Sequence, residues 1–168
     1  DSGSPDASLH GLDEAVRPDA GVPPARFWAA FHAVDRPAAR AEASFLYDDA
    51  AATVPGIEEP VGLVTHCQDY LTRPILEHLD IADWFDTVLC CTDETGWKPD
   101  PAPVETAMAD LAVGSRADRG VLVGDDTADV GAARNAGLEA VHVRRPHRRP
   151  QVGTGGVRTV AGLTALET

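Results

Sequence analysis

The sequence predicts an α/β protein built on a doubly wound parallel sheet, and three observations predict it. Short apolar runs at residues 61–65, 85–91, 120–124 and 139–143 alternate with helical patterns, at the spacing of strand–helix–strand units. Val121-Leu122-Val123 is apolar at consecutive positions, as a strand buried on both faces must be. Gly124-Asp125-Asp126 ends that run, so carboxylates fall at the C-terminal end of a strand, where open α/β sheets take their ligands.

In chain order, residues 6–52 carry helical patterning. Residues 8–16 form a weak helix. Pro23 and Pro24 open a stronger one, with Phe27, Trp28, Phe31 and Val34 at helical spacing, because proline suits a first helical turn. Pro37 opens a third over residues 38–51, anchored by Phe45 and Leu46. These pieces define a small helical cap (6–52), whose aromatic stripe is read as core packing and whose His32 and Asp35 are read as surface groups. Val54-Pro55-Gly56 marks the passage to an α/β core over 53–168.

Within the core, the first strand (61–65) ends in the hydroxyl of Thr65. A helix over 69–79 follows, with Tyr70, Leu71, Ile75, Leu76 and Leu79 on one face. After the strand at 85–91, a loop through Glu94, Gly96, Trp97 and Lys98 leads to a helix over 103–111. The strand at 120–124 gives way to a helix over 127–136, which Gly137 closes. The last strand is expected at 139–143, a flexible turn at 153–156 and a short final helix at 160–166.

A formal charge of −13 argues against nucleic acid and anionic membrane as partners. Lys98 is the only lysine, and arginine supplies the other thirteen basic residues, a pattern that resembles salt-adapted, haloarchaeal-type proteins. With no apolar run long enough for a transmembrane helix or a signal peptide, the expected location is the cytoplasm. Cys67, Cys90 and Cys91 are an odd set and are read as reduced, small hydrophobes. The basic run from Arg144 to Arg149 follows the last core strand. It is read either as a solvated loop pairing with acidic surface or as an attractor for an anionic substrate.

The chemistry gathers at strand ends. Asp125, Asp126 and Asp129 are oxygen-only ligands suited to a hard cation, Mg²⁺ above all, although a helix N-terminus also recruits acids. Thr65 ends one strand, and the lone lysine precedes a helix. In their order, these groups resemble the haloacid dehalogenase superfamily, in its phosphoglycolate phosphatase-like branch. Thr65 in Leu63-Val64-Thr65-His66 is similar to the second motif, whose hydroxyl hydrogen-bonds the phosphoryl group. Lys98 in Trp97-Lys98-Pro99-Asp100-Pro101 is similar to the third, whose cation stabilises charge. Gly124-Asp125-Asp126-Thr127-Ala128-Asp129 is similar to the fourth, which holds Mg²⁺. The resemblance covers about residues 54–145. It implies a Rossmann-like core, a small phosphorylated metabolite as substrate and an aspartyl-phosphate intermediate. His66 falls where members of that branch carry polar, phosphate-facing groups and is expected to contact substrate. Gly-Asp-Asp in the fourth motif fits phosphatases and phosphomutases rather than dehalogenases.

The family's first motif, an apolar strand ending in Asp-x-Asp, has no counterpart in these residues. Its first Asp is the nucleophile, and its strand is central in the sheet. The expectation is a chain cut just after that motif and inactive as it stands, with a gap in the sheet. Two alternatives remain open: a non-catalytic module that binds metal, phosphate or a partner, and a phosphomutase.

Overall fold

A computed structural model describes residues 35–111, 120–145 and 155–166, together with Pro23, Arg26, Ala29 and Ala30. Residues 1–36 form one compact unit and Pro37–Thr168 a second. The helix expected at 8–16, the stripe Phe27, Trp28, Phe31 and Val34, and His32 lie outside the described residues. So do the basic residues after Arg145 in the run 144–149.

The second unit opens with two short helices, α1 (Pro37–Glu42) and α2 (Asp48–Thr53). The single helix expected over 38–51 is therefore broken. The Ser44 hydroxyl donates to the Arg40 carbonyl at 2.9 Å, the kind of local bond that competes with helix continuation. Tyr47 then takes an extended conformation ahead of Asp48 and Asp49, acids that favour a new helix start. Phe45 is no core anchor: it is 67% exposed and lies edge-on to Tyr47. The boundary expected at residues 54–56 is a turn of 3₁₀ helix inside this same unit.

The core follows as β1 (Gly62–Thr65), α3 (Asp69–His78), β2 (Thr87–Cys90), α4 (Ala102–Asp110), β3 (Val121–Gly124), α5 (Thr127–Asn135), β4 (Glu139–Val143) and β5 (Arg158–Val160). Every strand pair is parallel, so the expected α/β class holds. The sheet lies in two pieces, β1-β2 and β3-β4-β5. Among the described residues nothing pairs with the free edges of β1 and β3, where the sequence left a gap.

Val141, Val143 and Val160 form the core under the three-stranded piece, packed by Val123, Leu163, Ala165 and Leu166. Val160 accounts for one correction. The final helix expected at 160–166 is instead the three-residue β5 followed by a 3₁₀ turn, Leu163–Leu166. A strand of three residues shows too few alternations to be recognised, and burying Val160 beside Val141 decides its conformation. On α3, Leu71 and Leu76 are buried, but Tyr70 faces outward at 37% exposure. Gly137 ends α5 in the left-handed region (φ 73°). The Leu138 and Gly137 amides then donate to the carbonyls of Ala133 and Arg134 in the last turn.

Candidate active site

Parallel strands present their C-terminal ends on one side of a sheet. Thr65 ends β1 there, and Asp125 and Asp126 follow β3. Thr65 Oγ1 accepts from the Cys67 amide at 3.0 Å, which leaves the hydroxyl hydrogen available to donate.

Lys98 joins the two ends. Its ammonium lies 2.7 Å from Asp129 Oδ1 and donates to the Val64 carbonyl at 2.9 Å. The Val64 carbonyl is on the uncovered edge of β1. Carbonyls alternate sides along a strand, and that of the next residue, Thr65, is turned toward β2 to accept from Cys91 N. Two of the three ammonium hydrogens are thus in use, and the third is left for a ligand. Side-chain exposure is only 10% for Lys98 and 12% for Asp129. A pair this buried contributes little net stability, but removing one partner strands a charge at a cost of about 3–5 kcal/mol.

Asp129 reaches this place because Gly124 has no side chain. A Cβ at Gly124 would collide with the Asp129 carboxylate and its Cβ. The acids divide their roles. Asp126 is the N-cap of α5, accepting from Ala128 N at 2.9 Å, while Asp129 Oδ2 accepts from Asp126 N at 3.1 Å. This reciprocal pair is a capping box. Asp125 is half-buried at the end of β3. Among the described residues, no three His, Cys, Asp or Glu side chains form a cluster placed to hold a metal ion. Carboxylates are hard-oxygen donors of the kind Mg²⁺ takes, but both oxygens of Asp129 are already engaged, Oδ1 by Lys98 and Oδ2 by the Asp126 amide.

The Lys98–Pro99 segment is fixed from both flanks. On the β1 side, the Lys98 amide donates to His66 Nε2 at 3.0 Å, and the imidazole lies edge-on to the Trp97 ring at 5.5 Å. On the α5 side, Asn135 Nδ2 donates to the Pro99 carbonyl at 2.9 Å, and Gly131 lets the helix close on the proline ring. The preceding loop is shaped by the Thr92 and Thr95 hydroxyls, by Gly96 at φ 89° and by a bond from Trp97 Nε1 to Asp93. Burial pushes the thiols of Cys90 and Cys91 above their ordinary value, as for inert packed thiols.

Arg145, from the basic run, is occupied. It holds Asp49 at 2.9 and 3.0 Å and lies 4.0 Å over the Tyr47 ring, so it pairs with an acid rather than reaching for substrate. Burial alone would raise the Asp49 carboxyl. The bonds from Arg145 and the Leu163 amide outweigh burial and hold it below its ordinary value. Sequence reasoning missed this clasp, and also Asn135 and Gly131. A glycine inside a helical pattern was the available signal for Gly131, since it marks a close approach.

The chain belongs to the haloacid dehalogenase-like hydrolase family, whose model matches residues 43–143. Phosphoglycolate phosphatase from Escherichia coli K12 is 33% identical over 103 residues, which is 60% of this chain and 40% of that relative. The chain therefore spans well under half the length of the curated relatives it matches. Among solved structures, a HAD phosphatase from Thermococcus onnurineus is 26% identical with a TM-score of 0.62, covering 73% of this chain and 56% of that one. A 2-haloacid dehalogenase from Pseudomonas syringae is equally 26% identical, with a TM-score of 0.58 and coverages of 73% and 52%. Likeness to these two solved structures favours neither chemistry, whereas the 33% identical sequence relative is a phosphatase.

Proposed function

We propose that this chain carries the phosphate- and metal-binding half of a Mg²⁺-dependent phosphatase acting on a small phosphorylated metabolite in the cytoplasm. The observation that carries the reading is Lys98. The only lysine is buried against Asp129 at the C-terminal ends of two parallel strands, with one ammonium hydrogen to spare. Phosphoryl transfer asks mainly for charge neutralisation and positioning. Lys98 neutralises charge on the phosphoryl oxygens, and the Thr65 hydroxyl donates to one of them. Asp125 and Asp129 would hold Mg²⁺, which when bound supplies further positive charge to the phosphoryl group. Asp126, the third acid of the expected metal set, serves α5 as its cap.

The nucleophile of an aspartyl-phosphate route is not among these residues, since no Asp-x-Asp occurs in the sequence. In a protein that adds a strand ending in Asp-x-Asp, a carboxylate oxygen would bond to phosphorus as the alcohol departs with a proton. Water would then release inorganic phosphate and restore the carboxylate. A non-catalytic module that binds metal, phosphate or a partner is the second reading.

The test compares phosphate release from phosphoglycolate and sugar phosphates by the 168 residues and by a protein with the added strand, with and without Mg²⁺. The proposal expects turnover only in the second, dependent on Mg²⁺ and lost in Lys98→Met and Asp125→Asn. Robust turnover by the 168 residues alone would refute the assignment of the nucleophile. Calorimetric binding of Mg²⁺ and phosphate with no turnover in either protein would select the non-catalytic reading.

A further inference from the structure

We propose that His66 is a positioning residue for Lys98 rather than a ligand of the substrate. This rests on the reading of Lys98 as the charge-stabilising group. The Lys98 amide donates to His66 Nε2 at 3.0 Å, so Nε2 must carry its lone pair, and the neutral ring must carry its hydrogen on Nδ1. Nε2, already accepting an N–H, cannot donate to a phosphoryl oxygen, so the ring's one donor is Nδ1–H.

What this bond fixes is the base of a long side chain. Lysine has a flexible four-carbon stem, and its ammonium must meet the Val64 carbonyl and the Asp129 carboxylate together. Val64 belongs to β1, whereas Asp129 lies on α5, which packs against β3 and β4 in the other piece of the divided sheet. His66, just beyond β1, ties the Lys98 amide to one piece. Asn135, at the end of α5, ties the Pro99 carbonyl to the other at 2.9 Å. With the backbone gripped from both flanks, the ammonium is aimed before any ligand arrives. Such preorganisation matters because a displacement of about 1 Å in a catalytic group can cost on the order of a hundredfold in rate.

The Trp97 ring against the imidazole edge allows shape and hydrogen bonding to be separated. His66→Phe keeps a ring beside Trp97 and loses the acceptor. His66→Gln loses the ring but offers an amide oxygen to the Lys98 N–H. The experiment labels the protein with ¹⁵N-lysine and ¹⁵N-histidine and follows the Lys98 amide, assigned by its absence from Lys98→Arg. Kinetics are measured in parallel on the form that bears the nucleophile.

In the wild type, a ring hydrogen on Nδ1 and a Lys98 amide proton shifted downfield are expected. His66→Phe moves that proton upfield and lowers kcat on the order of a hundredfold with KM little changed. His66→Gln restores both toward wild type. A wild-type ring with its hydrogen on Nε2, or a Lys98 amide unmoved in His66→Phe, overturns the proposal. So does a rise in KM alone, the signature of a lost substrate contact. The spectroscopic results stand even if no phosphatase activity is found, so failure of the functional reading is told apart from failure of the clamp.

Discussion

Gly131→Ala sets two well-known effects against each other. At an ordinary helical site, alanine in place of glycine stabilises by about 1 kcal/mol. Here the new Cβ would stand 2.7 Å from Pro99 Cβ. Carbon atoms in contact prefer roughly 3.5–4.0 Å, so the proline must retreat by about 1 Å. Pro99 is a ring with no rotamer to escape through, and its carbonyl is held by Asn135. Overpacking of this kind costs about 1–3 kcal/mol, so the substitution comes out destabilising by about 1 kcal/mol. Lys98 is carried along, and a shift near 1 Å predicts a loss on the order of a hundredfold in kcat. Urea unfolding measures the first number, and steady-state kinetics on the nucleophile-bearing form the second. A variant that gains about 1 kcal/mol and keeps its kcat would show that α5 does not seat the lysine.

Other perturbations probe the same neighbourhood. Lys98→Met is expected to lose about 3–5 kcal/mol of stability by urea unfolding, because Asp129 is left charged and buried, and adding Asp129→Asn should return much of it. Asp126→Ala should cost about 1 kcal/mol and Asp126→Ser little, since serine still caps α5. The Asp49 carboxyl is held below its ordinary 3.8, so its contribution is present above that value and is lost as pH falls through its folded pKa. Melting temperatures recorded below pH 3.8 should fall more steeply in the wild type than in Asp49→Asn. Gly124→Ala should displace Asp129 and disturb the Lys98 pair without altering the strand's apolar face.

Much of this was legible in the sequence wherever a residue announces its own environment. Val121-Leu122-Val123 does form a parallel strand, although Val121 at its start is 51% exposed rather than covered as its apolar run suggested, and Glu139–Val143 lies where the pattern put it. The lone lysine marked the site because a surface built from arginine leaves one ammonium in need of a reason. What stayed hidden depends on partners distant in sequence. Asp49 meets Arg145 across 96 residues, and Asn135 meets Pro99 across 36. His66 was visible as a polar group near phosphate chemistry, but no spacing reveals that a backbone amide 32 residues away would occupy its nitrogen. The three acids after β3 read as one cluster. The helix that follows claims Asp126 and the lysine claims part of Asp129.

A seam without backbone hydrogen bonds is where a folded chain opens first. β1 and β3 share no ladder among the described residues, and at their C-terminal ends Lys98 and the segment that carries it link the two pieces of sheet. Amide exchange should then divide the molecule into two cooperative classes. One comprises β1, β2 and the helices α3 and α4; the other comprises β3, β4, β5 and α5. Each would keep its own protection while the seam parts, and a phosphate ion bound at Lys98 would slow the parting of both together.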